Sequence, residues 1–281
     1  MSPTKSTPRR FRDLVEPIAA NVYFAPEAQE AYAELGLSYL PGYVCSRGGC
    51  MGQVPGQVIA STFAVFDPDL IINNVTAGWE LTTAEAVLPA RLKGAIGGLT
   101  RIIGEHPDGL DRATDILRRA GDAATLEGHP IYAGLRSLDW PGDPLGDMWR
   151  AADLVREHRG DSHNCAWVSH GVGPVEITLL SELWWGIPPG SYVRTRGWSP
   201  ERIEEARQGL ASAGLVVGDE ITDAGRELRE SIERATDKAE ESITKALGDD
   251  ADELFSIIEP WSRAIIDSGG YPADPSKLGQ N

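Results

Sequence analysis

The strongest constraint on this chain is that it repeats itself. Residues 78–93 read GWELTTAEAVLPARLK and residues 218–233 read GDEITDAGRELRESIE. At an offset of 140, Gly78, Glu80, Thr82, Ala84 and Leu88 match Gly218, Glu220, Thr222, Ala224 and Leu228. Leu81 and Leu92 face Ile221 and Ile232, which are conservative changes. Self-similarity at a fixed offset marks a structural unit used twice. Ahead of the second copy, Gly214-Leu215-Val216-Val217 reads as a short strand that turns back at Gly218. Each copy then hands over to a helix. Thr82 with Glu85 has the spacing of a capping box, as a threonine three residues before a glutamate. Thr222 takes the same position before the second helix.

The 281 residues are long enough for two ordinary domains. No run approaches the 18 apolar residues of a membrane span, and MSPTKSTPRRFR lacks the apolar stretch of a secretory signal. With three cysteines, a reduced, cytoplasmic compartment is expected.

The spacing of breakers and apolar residues predicts a mainly helical chain with small β-wings. Helices are expected at 11–22, 27–35, 55–66, 68–75, 82–104 and 108–121. The Gly-rich stretch 38–53 reads as irregular or as a helix broken at Gly48-Gly49. In the second half a helix from about Leu145 should stop at Gly160, with Asp161 capping the next one. Further helices are expected at 174–185, from Ser199-Pro200 to Ala213, at 223–247 and at 251–267. Pro- and Gly-rich residues 126–144 read as a linker. It would join an N-terminal unit, 10–125, to a C-terminal unit, 145–270. Val15-Glu16-Pro17 also echoes Ile258-Glu259-Pro260.

Arg196-Gly197-Trp198-Ser199-Pro200, Gly214-Leu215-Val216 and Ile221-Thr222-Asp223-Ala224-Gly225 resemble the MarR class of winged-helix proteins. Val15-Glu16-Pro17, Tyr23-Phe24-Ala25-Pro26, the block Arg156–Asp161 with His163, and Ile232-Glu233 with Thr236-Asp237 are similar to a group of actinobacterial helix-turn-helix proteins. The resemblance implies an internally duplicated, pseudo-dimeric MarR-like fold in one chain, acting as a monomer or a weak homodimer. In MarR-like dimers small aromatic ligands sit between dimerisation helices and winged-helix lobes, so it also implies a cleft between the repeats.

Charge argues against the usual task of such a fold. The net charge is −16, and residues 219–253 alone hold 13 acids against 5 bases. The expected reading helix carries Glu201, Glu204 and Glu205 against Arg202 and Arg207, and its wing tip offers Asp219 and Glu220. Residues 67–75 of the first half have two aspartates and no cation. Phosphate contacts need donors, mostly cationic ones. DNA binding is therefore not expected, and the expected partner is a small organic ligand.

The densest polar block is Glu157-His158-Arg159-Gly160-Asp161-Ser162-His163-Asn164-Cys165. It suggests His163 as a general acid or base, oriented by Asp161 or Glu157, with Arg159 and His158 holding an anionic group. Tyr23, Phe24, Phe63, Trp149, Trp167 and Trp198 are candidate walls of the ligand cleft. The bland alternative makes the block a capped helix junction and the aromatics core. His158, Asp161, His163 and His170 lack any HExxH or CxxC pattern, so no metal is expected. Cys45 and Cys50 read as incidental thiols in a glycine loop. No GxGxxG, GxxxxGK or GxSxG motif is present, so no cofactor is expected. The reading is a cofactor-independent enzyme of specialised metabolism, a cyclase, lyase, hydrolase or isomerase. A ligand-responsive regulator and a ligand-sequestering self-resistance protein are the alternatives.

Overall fold

The helix over Thr7–Ala20 packs against the helix over Ala251–Asp267. The computed structural model describes residues 6–272. It begins with α1 (Thr7–Ala20), α2 (Pro26–Glu34), α3 (Tyr39–Gly48), α4 (Gly56–Thr62), α5 (Pro68–Leu81), α6 (Ala84–Ile103), α7 (Leu110–Asp122) and α8 (Pro130–Arg136). The second half holds α9 (Pro144–Ser169), α10 (Pro174–Trp185), α11 (Pro200–Ser212), the strands β1 (Val216–Val217) and β2 (Glu220–Ile221), α12 (Asp223–Ala239), α13 (Glu241–Leu247) and α14 (Ala251–Asp267). Among the described residues no helix is long and apolar enough to cross a membrane.

The main core is drawn from both ends of the chain. Phe11, Val15 and Ile18 of α1 pack with Leu254, Phe255 and Ile258 of α14, and with Met148 and Trp149 of α9. Leu99 of α6 and Ile116 and Leu117 of α7 complete it. The packing is reciprocal. α1, which opens the first half, lies on α14, and α9, which opens the second, lies on α7, while α1 and α9 touch each other. The echoing Pro17 and Pro260 both sit inside helices, on the paired α1 and α14. A second core joins α3, α4, α5 and α8 through Val44, Ile59, Phe63, Ile71 and Ile131.

A smaller core belongs to α10, α11 and the hairpin. Val175, Leu179, Leu180, Ala206, Leu210, Val216 and Ile221 fill it. The strands pair antiparallel, Val216 opposite Ile221 and Val217 opposite Glu220. Gly218 takes φ +60° at the turn, a conformation that tight hairpins need and glycine adopts freely. A Cβ on Gly225 would lie 2.2 Å from the Leu215 carbonyl oxygen, so the hairpin presses on α12 where only glycine fits. This is a helix–helix–wing–helix unit. Its Trp198 indole donates to the Val65 carbonyl at 2.9 Å, and the Asp67 amide donates to the Arg196 carbonyl at 2.8 Å, tying it to the first half.

Several expectations change. Gly160 does not stop a helix, and Asp161 does not cap one. α9 runs unbroken for 26 residues. A helical glycine costs about 1 kcal/mol relative to alanine, and contacts of α9 with α1, α7, α8 and α12 override it. The cap of α6 is Thr83, whose Oγ1 accepts the Ala86 amide, while Thr82 closes α5. Gly78–Leu81 is the last turn of α5, so the first copy has a helix where the second has a wing. A single hairpin stands among the described residues. The long helix after Thr222 breaks at Glu240 into α12 and α13. Of the two readings of residues 38–53, the helix broken at Gly48-Gly49 is the one formed, with α3 ending at Gly48 and a tighter turn over Gly49–Met51. Within 126–144, α8 buries Ile131, Tyr132 and Leu135.

Candidate functional site

α9 carries most of the predicted polar residues, and its periodicity sorts them. Residues four apart share a face, so Glu157 and Asp161, His158 and Ser162, and Arg159 and His163 form three adjacent stripes. Each stripe meets different partners.

Glu157 is the centre of a buried charge network. Arg47 donates to its two oxygens at 2.8 and 2.7 Å, Arg156 at 2.7 Å, and the Tyr23 hydroxyl at 3.1 Å. Burial alone would raise its pKa, but Arg156 and Arg47 outweigh burial and hold the carboxyl well below the usual range. Beside it, Arg91 grips Asp153 at 2.6 and 3.1 Å and donates to the Tyr23 hydroxyl at 3.1 Å. Fully paired in this way, Glu157 is a permanent anion with its lone pairs in use, which suits a structural charge better than a base.

Asp161 acts on a neighbouring helix. Its Oδ2 accepts the backbone amides of Ile131 at 3.0 Å and Tyr132 at 3.2 Å, in the first turn of α8. Burial, reinforced by the charge of Glu157, pushes its pKa up to about 7. It is the predicted catalytic group whose protonation state can change near neutral pH.

The middle stripe meets two residues that the sequence reading missed. The His158 ring stacks on His129 with centroids 3.7 Å apart and planes within 10°. His158 Nδ1 lies 2.6 Å from Glu240 Oε1, the Ser162 hydroxyl lies 2.8 Å from that same oxygen, and His129 Nε2 lies 2.8 Å from Ser162 Oγ. All four residues are buried. His129 Nδ1 and His158 Nε2 are buried without hydrogen-bond partners. One donor atom from each of His129, His158 and Glu240 lies within 4.8 Å of the others, so these three could hold a metal ion. No motif spacing reveals them, because they come from the edge of α8, the middle of α9 and the break after α12.

The third stripe faces α12 and α1. Arg159 donates to Glu233 at 2.5 Å and to Asp237 at 2.9 Å, and Glu233 also holds Arg12 and Arg229. His163 Nδ1 lies 3.1 Å from Thr236 Oγ1. Burial, with Arg229 nearby, pushes its pKa down to about 3, so the imidazole is neutral at physiological pH. Arg159 commits Nη2 to these two carboxylates, while its Nη1 is buried without a hydrogen-bond partner. His170 bonds its own helix at Ala166, away from the others.

The aromatic candidates do not share one pocket. Trp149 donates to the Ala19 carbonyl and lies under the Arg91 guanidinium. Phe63 lies under Arg47, and Tyr43 bridges it to Tyr23. Trp167 donates to Asn164 and packs with Ile177 and Ile232. Phe24 meets Tyr271 edge-on, and Trp198 sits on Val65. An open groove of about 550 Å³ runs between α6–α7 and α14, lined by Ile102, Ile103, Pro107, Ile257, Pro260 and Trp261 among others, and none of the predicted site residues lines it. Cys45 and Cys50 are free, buried thiols on α3 and the turn after it.

The surface of the winged unit completes the geometry. On α11, Glu201, Glu204, Glu205 and Gln208 are exposed. Arg202 is bound to Glu176 at 2.9 Å and Arg207 to Asp219 at 2.7 Å. Arg196 folds inward over the Phe66 and Tyr192 rings. A family model described as a helix-turn-helix family matches residues 8–272. The chain belongs to this helix-turn-helix family. The match spans both halves, so it takes in the helical body as well as the winged unit. No curated protein and no solved structure matches the chain.

Proposed function

We propose that this helix-turn-helix family member has exchanged DNA reading for the handling of a small organic molecule. The observation that carries this is the state of the reading helix. Both arginines of α11 are committed to carboxylates, and its exposed charged positions, Glu201, Glu204 and Glu205, are acidic. A surface that binds phosphates needs free cations, since phosphate neutralisation supplies most non-specific affinity.

In this reading the chain is a fused MarR-like pseudo-dimer, with halves at 10–125 and 145–270. The reciprocal packing of α1 on α14 and of α9 on α7 supports it, because that is how two-fold-related subunits exchange terminal helices. The apolar groove between α6–α7 and α14 lies between the two halves and is the place offered to a ligand. The acid–base candidates lie apart from that groove, at the α8–α9–α12 junction, so in this reading catalysis requires the ligand to reach the junction as well. Asp161, with its pKa near 7, is the acid or base, and His163, neutral at physiological pH, is a hydrogen-bonding partner. The reaction class fits a cyclase, lyase, hydrolase or isomerase of specialised metabolism.

The test is a gel shift with the gene's own upstream region at low salt, run beside native mass spectrometry of the gently purified protein. Expected are no sequence-selective shift and a co-purifying small organic molecule. Tight, salt-sensitive, sequence-selective binding overturns the reading and makes the chain a regulator.

A further inference from the structure

We propose that His129, His158 and Glu240 form a binding site for a divalent transition-metal ion of the zinc type. The proposal rests on the reading of the α8–α9–α12 junction as the functional site, and it departs from the expectation of cofactor-free chemistry.

Three observations support it. The first is the donor set. Two imidazoles and one carboxylate are the ligands that zinc and its borderline neighbours take, and their donor atoms already lie within 4.8 Å of one another. Bonds of about 2.0–2.2 Å would draw these atoms somewhat closer. They would also turn the two rings out of their parallel stack, because each lone pair lies in its own ring plane. The second is charge. Glu240 is buried, and no Arg or Lys pairs with it among the described residues. Its partners are His158, positive only when protonated, and the neutral Ser162 hydroxyl. Of the other buried carboxylates of α9 and α12, Asp153, Glu157 and Glu233 are each held by arginine, and Asp161 is met by two backbone amides. A buried carboxylate without a fixed cation is costly unless one is supplied, and a metal ion supplies it. The third is the pair of orphaned ring nitrogens, His129 Nδ1 and His158 Nε2. Two buried, stacked imidazoles with unused nitrogens leave polar capacity unmet, and ring rotation onto an ion would use it.

Access follows from the fold. His129 immediately follows an exposed loop, residues 125–128, that ends at Gly128 with φ +79°. A small opening of this loop and the start of α8 brings solvent to His129 without disturbing the main core. Ser162, already bonded to both Glu240 and His129, would hold the carboxylate and one imidazole in place.

The experiment titrates the full-length, metal-stripped protein with Zn²⁺ and, separately, with Co²⁺. Expected are one equivalent bound per chain, visible Co²⁺ ligand-field bands, and an X-ray absorption shell of nitrogen and oxygen without sulfur. E240Q and H129Q, each with a native circular dichroism spectrum, should bind more than about 100-fold more weakly, since even outer-shell changes cost 10–100-fold. Three results overturn the proposal: no stoichiometric binding by the wild type, a sulfur shell, or unchanged affinity in both variants. DNA binding or the lack of a co-purifying molecule would sink the functional reading above and leave these readouts untouched, so the two failures are separable.

Discussion

The Asp161 carboxylate lies 3.0 Å from the backbone nitrogen of Ile131, so a residue in the middle of α9 caps the start of α8. α8 has no side-chain cap of its own. The folded carboxyl titrates at about 7 against an ordinary 3.8, so the folded state holds this proton more tightly than the unfolded one. Its contribution to stability is full below pH 3.8 and is lost as pH rises through 7. Urea midpoints at pH 5 and pH 8 should show this loss in the wild type. D161N carries no charge at either pH and should flatten the difference. A parallel fall in both proteins would show that another group is responsible.

Glu157 holds three partners at once, and removing its charge strands them. E157Q should destabilise the protein by about 3–5 kcal/mol, the range for breaking a buried ion pair on one side. Chemical denaturation measures it. A loss under about 1 kcal/mol would show that Arg47 and Arg156 find other partners.

The three cysteines should separate by reactivity. Burial pushes the Cys45 and Cys50 thiols up to about 12, whereas Cys165 is exposed. Thiolate is the reactive form. A thiol reagent at pH 8 should therefore label one cysteine in the native protein and three in denaturant, with peptide mapping placing the first label on Cys165.

The acidic face of α11 is a reversible barrier to nucleic acid. Replacing Glu201, Glu204 and Glu205 together by lysine changes the local charge by six. This variant should gain weak, sequence-independent DNA affinity that falls steeply between 50 and 200 mM salt. No gain at 50 mM salt would mean that shape, not charge, bars α11 from the duplex.

The sequence was most readable where structure follows local rules. The Pro-initiated α10, the Ser199 cap of α11, the Thr222 cap of α12 and the span of α14 were all foreseen, because caps and breakers act within a few residues. The errors on α9 came from the opposite situation. Gly160-Asp161 looks like a stop and a start, yet the helix is enclosed on several sides and packing overrides both signals. The polar core was the least legible part. Beside Ile232, α12 buries Arg229, Glu233 and Thr236, with Glu240 buried at its end, a polar row that reads as solvent-facing in any hydrophobic count. Its partners lie on α1, α9 and α10, 48 to 221 residues away. For the same reason the polar block 157–165 was found but its roles were not, since Glu157, Arg159 and His163 are claimed by distant partners. His129 and Glu240 gave no local sign at all.

The pairing of α1 with α14 sets a timetable for the chain's birth. Phe11, Val15 and Ile18 are made long before Leu254, Phe255 and Ile258. A nascent chain must therefore keep the face of α1 that meets α14 uncovered until α14 has left the ribosome. Contacts of such long sequence separation form slowly, and the waiting α1 is where a chaperone would be needed. A stop codon before α14 would leave that helix exposed for good, and aggregation of the truncated product is the outcome to look for.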